Sequence, residues 1–397
     1  MTAVIDRASP ADIAELRQLY YAVYGPHYPV ALGTDPAEMS RLIGDPDTLW
    51  LVARCPDSGV LTASAAVHGE PGGRVGRLEG VAVHPGHRSG GLASALTDEL
   101  CRRTLETGRL DSVYATVRTV GAGPQRVVSR NGFRPLGLLA NAVDLSTRES
   151  LALYARHAAG VLDRRVPVAE VPAPLAPLLR AVERSLGVDY GSTRATAPQP
   201  PPAHPAAPAS PAAPAAAAPP ATPSARLEMI EAPGFVRRRF RDRFPGTERW
   251  FYPLHTPNTL LVPDDDGFEV YAYLNRAGRY CSLVAAHPDP EAAAAWLEPV
   301  TRALTRAGAG YVEALLPLAR HDLLSGFLAQ GFIPGALYPA MRPEPGGDGF
   351  HDYVVMSRTA EQIDFRGVVA DGPLQPYLDA YLSTWASTYL PPFEVAS

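Results

Sequence analysis

The chain has 397 residues, which at roughly 100–200 residues per domain is enough for two or three domains with sizeable cores. Hydrophobic residues make up 46% and charged residues 19%, a globular balance, and the net charge of -5 lacks the basic excess that nonspecific nucleic-acid binding needs. Cys55, Cys101 and Cys281 are scattered with no C-x-x-C pairing, and neither a signal-peptide pattern nor a run of about 18 apolar residues occurs, so a disulfide framework, a metal site, export and a membrane span are disfavoured and a cytoplasmic protein is expected.

In chain order, Ser9-Pro10-Ala11-Asp12 supplies an N-cap, a proline at the first helical position and an acid at N3, predicting a helix to about Val23. Asp35-Pro36-Ala37-Glu38 repeats the device. Residues 48–54 and 60–68 are apolar, β-prone runs around Pro56-Asp57-Ser58-Gly59 and read as a hairpin, with a third strand at 77–83. A glycine-rich turn, a helix to about Thr107 closed by Gly108, a strand at 112–117, a short helix ending at Asn131 and a strand near 136–144 complete an ααβββαβαβ order. Helices are expected next over 146–161 and 174–186.

From Pro198 to Pro223, eleven prolines and eleven alanines fill 22 of 26 positions, a stiff composition with almost nothing to bury. It reads as a linker between two folded halves. Beyond it, parts of the first half return: RVGRLEGVAV at 74–83 lines up with RAGRYCSLVA at 276–285, each soon followed by His-Pro, and Asn131-Gly132-Phe133 corresponds to Gln330-Gly331-Phe332. Two matches in the same order at nearly equal spacing favour two copies of one fold. On that alignment Cys281 stands opposite Glu79.

The segment that carries chemistry is Val81-Ala82-Val83-His84-Pro85-Gly86-His87-Arg88-Ser89-Gly90-Gly91-Leu92-Ala93. A strand runs into a turn with paired glycines where a helix begins, leaving backbone N–H groups unsatisfied at a helix N-terminus that favours an anion. Gly90 and Gly91 allow close approach, Ala93 keeps the first helical turn clear, and Arg88 adds a fixed charge. A tight strand-to-helix connection would use the same glycines.

With helices before it and Gly-Phe after it, this R-x-x-G-x-A turn resembles the acyl-CoA pyrophosphate loop of the GNAT acyltransferase superfamily. The resemblance covers about residues 3–144. It implies an α/β (α+β) protein of two GNAT-like domains, each a mixed, mostly antiparallel sheet flanked by helices. The expected divisions are 1–145 for the acyltransferase domain, 146–191 for a helical extension, 192–225 for the Pro/Ala linker and 226–397 for a degenerate second copy. The second copy resembles the family more loosely: after His287-Pro288 stands Asp289-Pro290-Glu291, an acidic turn that repels a pyrophosphate.

Carried over by position, the backbone of Val81 and Val83 would hold the pantetheine arm of acetyl-CoA or another acyl-CoA, while Arg88, Ser89, Gly90, Gly91, Leu92 and Ala93 would cradle the pyrophosphate. Acyl transfer to an amine needs a base. Glu79 is the candidate, expected by strand alternation to share a face with Val81 and Val83; the alternative is a structural pair with Arg77 or Arg74. Many family members place a tyrosine four residues before the Gly-Phe glycine as general acid, but Val128 stands there. CoA then leaves as the thiolate, or Tyr114 or Ser129 substitutes.

Tyr20, Tyr21, Tyr24, His27 and Tyr28 cluster where this fold roofs the acceptor, with Tyr24, His27 and Tyr28 as substrate-binding candidates for an aromatic or cationic small-molecule amine. Core packing explains the same spacing. Arg237, Arg238, Arg239, Arg241 and Arg243 form a solvated helical face or a landing patch for an acidic partner such as an acyl carrier protein. The expected activity is acyl-CoA-dependent N-acyltransfer, most simply N-acetylation, with no metal, nucleic acid or membrane; the alternatives are a carrier-protein donor or a non-catalytic acyl-CoA sensor. Lysine is absent from the chain. Codon bias explains part of that, and an enzyme handling acyl donors would also gain by having no ε-amine to acylate.

Overall fold

The Ser9 N–H donates to Asp12 Oδ2 at 2.7 Å, closing the reciprocal cap that starts the first long helix. The second cap is made by Asp35, whose carboxylate accepts from the Ala37 N–H at 2.9 Å. The computed structural model describes residues 3–390 apart from 27, 29, 70–72, 145–146, 199–225, 246–254, 266 and 371.

In the first half the elements are β1 (Val4–Arg7), α1 (Ile13–Tyr24), α2 (Ala31–Thr34), α3 (Pro36–Gly44), β2 (Thr48–Arg54), β3 (Leu61–Gly69), β4 (Val75–Val83), α4 (Leu92–Cys101), β5 (Ser112–Arg118), α5 (Ala122–Arg130), β6 (Arg134–Asp144) and β7 (Arg148–His157). Between the halves lie β8 (Glu170–Pro172), α6 (Ala176–Leu186) and β9 (Arg194–Thr196). The second half has β10 (Leu227–Ile230), α7 (Pro233–Arg243), β11 (Thr259–Pro263), β12 (Glu269–Asn275), β13 (Tyr280–His287), α8 (Pro290–Ala294), α9 (Leu297–Arg306), β14 (Tyr311–Pro317), α10 (His321–Ala329), β15 (Ile333–Pro343), β16 (Phe350–Thr359) and α11 (Gln375–Tyr389).

Fourteen of these strands form one sheet, ordered β1-β2-β3-β4-β5-β7-β6-β15-β16-β14-β13-β12-β11-β10. Read outward from its centre, the order is the same on both sides. The parallel neighbours in it, β4 with β5 and β13 with β14, occupy matching places. Asn141 in β6 and Ala340 in β15 both have positive φ, each where its ladder with the next strand slips. The two halves therefore repeat one strand topology down to the local irregularities.

They meet where β6 crosses β15 at the pair Gly137 and Ala336. A Cβ on Gly137 would lie 2.2 Å from Gly335 O and 2.3 Å from Ala336 Cα, so only glycine permits the approach. Helices α6 and α11 pack on each other across this crossing. The blocking atoms belong to backbone and cannot rotate away. Gly137→Ala should therefore cost about 3 kcal/mol or more, at the upper end of overpacking effects, read as a lowered thermal midpoint; an unchanged midpoint would show that the crossing is loose.

Three expectations need correction. Residues 148–157, expected as part of a helix over 146–161, form strand β7, laddered to β5 on one side and β6 on the other. Its Leu, Ala and Arg residues suit a helix, but two partner strands and burial on both faces override that preference. So the helical extension of 146–191 contains only α6 as a long helix, and β7 belongs to the sheet of the first half. The start of the proposed linker is also structured: β9 runs parallel to β8, and Thr196 Oγ1 lies 2.7 Å from His321 Nε2. Residues 199–225, the bulk of the linker, lie outside the described residues.

Strand register also changes the internal alignment. The pairs Val75 with Ser112 and Tyr280 with Tyr311 match one another when β7 is superposed on β16. Val284, not Cys281, then takes the place of Glu79, and Pro288 takes that of Val83. None of the described helices is long and apolar enough to cross a membrane.

Candidate active site

Strand β4 carries an extra residue relative to β3: Ala66 pairs with Glu79, but Ser64 pairs with Ala82. This is a β-bulge at Gly80 and Val81. Gly80 has φ +64, and a Cβ there would meet the Tyr20 hydroxyl and Leu32 Cδ2, each at 2.6 Å. Helix α1 supplies the hydroxyls that hold the bulge. Tyr20 donates to Gly80 O at 2.7 Å, and Tyr24 donates to Val81 O at 2.8 Å. Burial raises the proton affinity of both phenols, keeping them donors.

The bulge has two consequences. First, directly paired residues share a face of the sheet, so Glu79 lies with Ala66 and Ala82 on the α1 side, whereas Val83 lies with Ala63 on the other. The expectation that Glu79 shares a face with Val81 and Val83 is therefore wrong, because the extra residue inverts the alternation. Second, β4 pairs with β5 only from Val75 to Arg77, and above that point the two parallel strands diverge. The His84 N–H donates to Thr62 O on β3 at 2.8 Å. By alternation the N–H and C=O of Val83 point the other way, into the wedge between β4 and β5, while the Val81 carbonyl is held by Tyr24.

At the mouth of the wedge, Pro85–Gly90 forms a 3-10 turn and Gly91 adopts φ 70, ψ 11 as N-cap of α4. The first bond of the helix runs from the Ala95 N–H to Gly91 O at 3.0 Å, which leaves the amides of Leu92, Ala93 and Ser94 without helical acceptors. The first turn of α4 has no acidic residue, and Arg88 and Gly90 are exposed. Ser89 contributes its backbone to the turn.

Beneath the roof of α1 the rings of Tyr20, Tyr24 and Tyr28 stack, with Tyr24 and Tyr28 centroids 4.2 Å apart. Burial, with Tyr24 and then Glu79 adding to it, raises the proton affinity of Tyr28. Tyr20 and Tyr28 also line a cleft of about 600 Å³ between α1 and α2, together with Arg17, Gln18 and Tyr21. His27 lies outside the described residues. Glu79 has Arg77 beside it, Nε to Oε2 3.7 Å, while Arg74 is taken by Asp111 at 2.6 Å.

The two substitutes for a general acid differ. Tyr114 is buried and packs edge-on against Tyr338 of β15, with centroids 6.2 Å apart. Ser129 is exposed on α5, while Tyr154, whose phenol burial pushes up to about 12, donates to Gln125 Oε1 at 3.5 Å. Val128 is buried in α5. In the arginine cluster, Arg239 Nε and Arg243 Nη2 hold Glu269 at 2.8 and 2.9 Å, while Arg237, Arg238 and Arg241 are exposed.

The sequence reading passed over Gly80 and the two bulge-holding tyrosyl hydroxyls. A lone glycine inside a strand is the signal that would have found the bulge.

Residues 12–133 match the acetyltransferase (GNAT) family model. This stretch carries a GNAT domain. No curated protein matches the chain. Among solved structures, a chimera of the spermidine N-acetyltransferase SpeG from Vibrio cholerae and hSSAT is 13% identical, over 40% of this chain and 96% of that one, with a TM-score of 0.35. A GNAT-family acetyltransferase from Streptococcus pneumoniae is 18% identical over 40% of this chain and 99% of that one, also with a TM-score of 0.35. A phosphinothricin acetyltransferase from Sinorhizobium meliloti in complex with AcCoA is 20% identical, over 40% of this chain and 89% of that one, again at 0.35.

Proposed function

We propose that the chain is an acyl-CoA-dependent N-acyltransferase, most simply an N-acetyltransferase acting on a small-molecule amine. The observation that carries this reading is the wedge between β4 and β5, capped by the Gly91 turn. An extended pantetheine arm would hydrogen-bond the peptide groups of Val83 and the N–H of Val81, and the pyrophosphate would meet the amides from Gly90 to Ala93 with Arg88 beside them.

The acceptor approaches from the α1 face, where Tyr24 and Tyr28 present their rings. Glu79 takes a proton from the ammonium, directly or through water. The neutral nitrogen then adds to the thioester carbonyl, the zwitterionic tetrahedral intermediate sheds its extra N–H proton to solvent, and collapse of the oxyanion breaks the C–S bond to release CoA as its thiolate. With Tyr114 buried against Tyr338, solvent protonates the leaving sulfur.

The second half is read as a GNAT-like copy that has lost the donor site. It repeats the strand order, but Pro288 stands where Val83 offers an N–H, and Val284 stands where Glu79 offers a carboxylate. The absence of a dedicated general acid favours one rival, an acyl-CoA sensor without turnover. A carrier-protein donor docked on Arg237, Arg238 and Arg241 is the other variant. Thiol release from acetyl-CoA in the presence of an amine panel tests the reading. Release that depends on one class of amine is expected; tight acetyl-CoA binding with no release under any amine would favour the sensor.

A further inference from the structure

We propose that Arg77 is the positioning residue for Glu79. The inference rests on the reading of Glu79 as the base. Arg77 and Glu79 flank Leu78 on β4, so both emerge on the α1 face. Elsewhere arginine closes on carboxylates through paired short bonds: Arg74 reaches Asp111 at 2.6 and 2.7 Å, and Arg118 reaches Glu149 at 2.7 and 2.5 Å. Arg77 stops at 3.7 Å, and its buried Nε makes no hydrogen bond within the described residues. A closed fork would occupy the carboxylate oxygens; a cation held just outside contact orients the carboxylate and leaves its lone pairs open to a proton.

Tyr114, the register partner of Arg77 on β5, borders Arg77 and is itself held: its ring packs edge-on against Tyr338, centroids 6.2 Å apart, and the Tyr338 hydroxyl donates to Ser112 Oγ at 2.8 Å. Burial alone would weaken the Arg77 cation, and Glu79 is first among the groups that offset it. Tyr20, Tyr28, Arg41 and His68 complete the charged and titratable surroundings of Glu79.

The test uses the full chain, acetyl-CoA and the panel amine that it acylates fastest, with donor affinity measured by calorimetry. Arg77→Gln should lower kcat about 10–100-fold, the scale of a misplaced catalytic group, with donor affinity unchanged, and Arg77→Lys should recover most of the rate by restoring a cation. If Arg77→Gln turns over like wild type, or if the Gln and Lys variants fall equally, the positioning role is overturned. A slow Glu79→Gln beside an unimpaired Arg77→Gln would sink this inference alone; a Glu79→Gln as fast as wild type, or no turnover in wild type, would remove the reading on which it rests.

Discussion

Gly91→Glu should lower acetyl-CoA affinity by about 100-fold or more, since like-charge juxtaposition costs several kcal/mol and each 1.4 kcal/mol is tenfold. Gly91 sits at φ 70 as N-cap of α4, and nothing lies within 4 Å of a Cβ placed there. The substitution therefore strains the backbone modestly without a steric clash. A carboxylate at this position would itself lie at the helix N-terminus, favourable for the helix and repulsive to a pyrophosphate. Gly91→Ala carries the same backbone strain without the charge and should keep affinity within about threefold. Calorimetry separates the two effects. Equal affinity in wild type and Gly91→Glu would remove the donor site from this turn.

The second large effect is expected at Glu79. Glu79→Gln preserves shape and hydrogen bonding on the α1 face but removes the base, which typically costs about 10²–10⁴-fold in rate. Donor affinity should not change, because Glu79 lies on the opposite face of β4 from Val83 and away from the Gly91 turn. The deficit should narrow at high pH, where the acceptor amine is already deprotonated. A sensor would show equal acetyl-CoA binding in both proteins and no turnover in either. Equal rates across pH in both would make Glu79 a structural strand residue paired with Arg77.

Much of the architecture was legible because its signals are local. The caps at Ser9 and Asp35, the hairpin of β2 and β3 and the stop at Gly108 each depend on a few adjacent residues and lie close to where they were expected. The same holds for the turn from His84 to Ala93, where a loop and a helix start are written in consecutive positions. The repeat was visible in outline through its glycine-phenylalanine anchors. Its register was not, since alignment by residue type matched Cys281 to Glu79 whereas strand pairing matches Val284.

By itself the sequence determined the two-part organisation, the glycine-rich turn before α4 and the residues available for chemistry, because composition, φ preference and capping act over short stretches of chain. Only the tertiary structure decided how those residues face one another. Residues 148–157 became a strand because β5 and β6 each offered an edge, a choice their helix-compatible composition does not encode. Glu79 came to lie under Tyr28, opposite Val83, because hydroxyls from α1 hold the carbonyls of Gly80 and Val81 in a bulge, across separations of 60 and 57 residues. Tyr114 met Tyr338 of the second half where Gly137 lets two backbones cross. Each of these is a non-local contact, and its energy comes from groups that are distant along the chain.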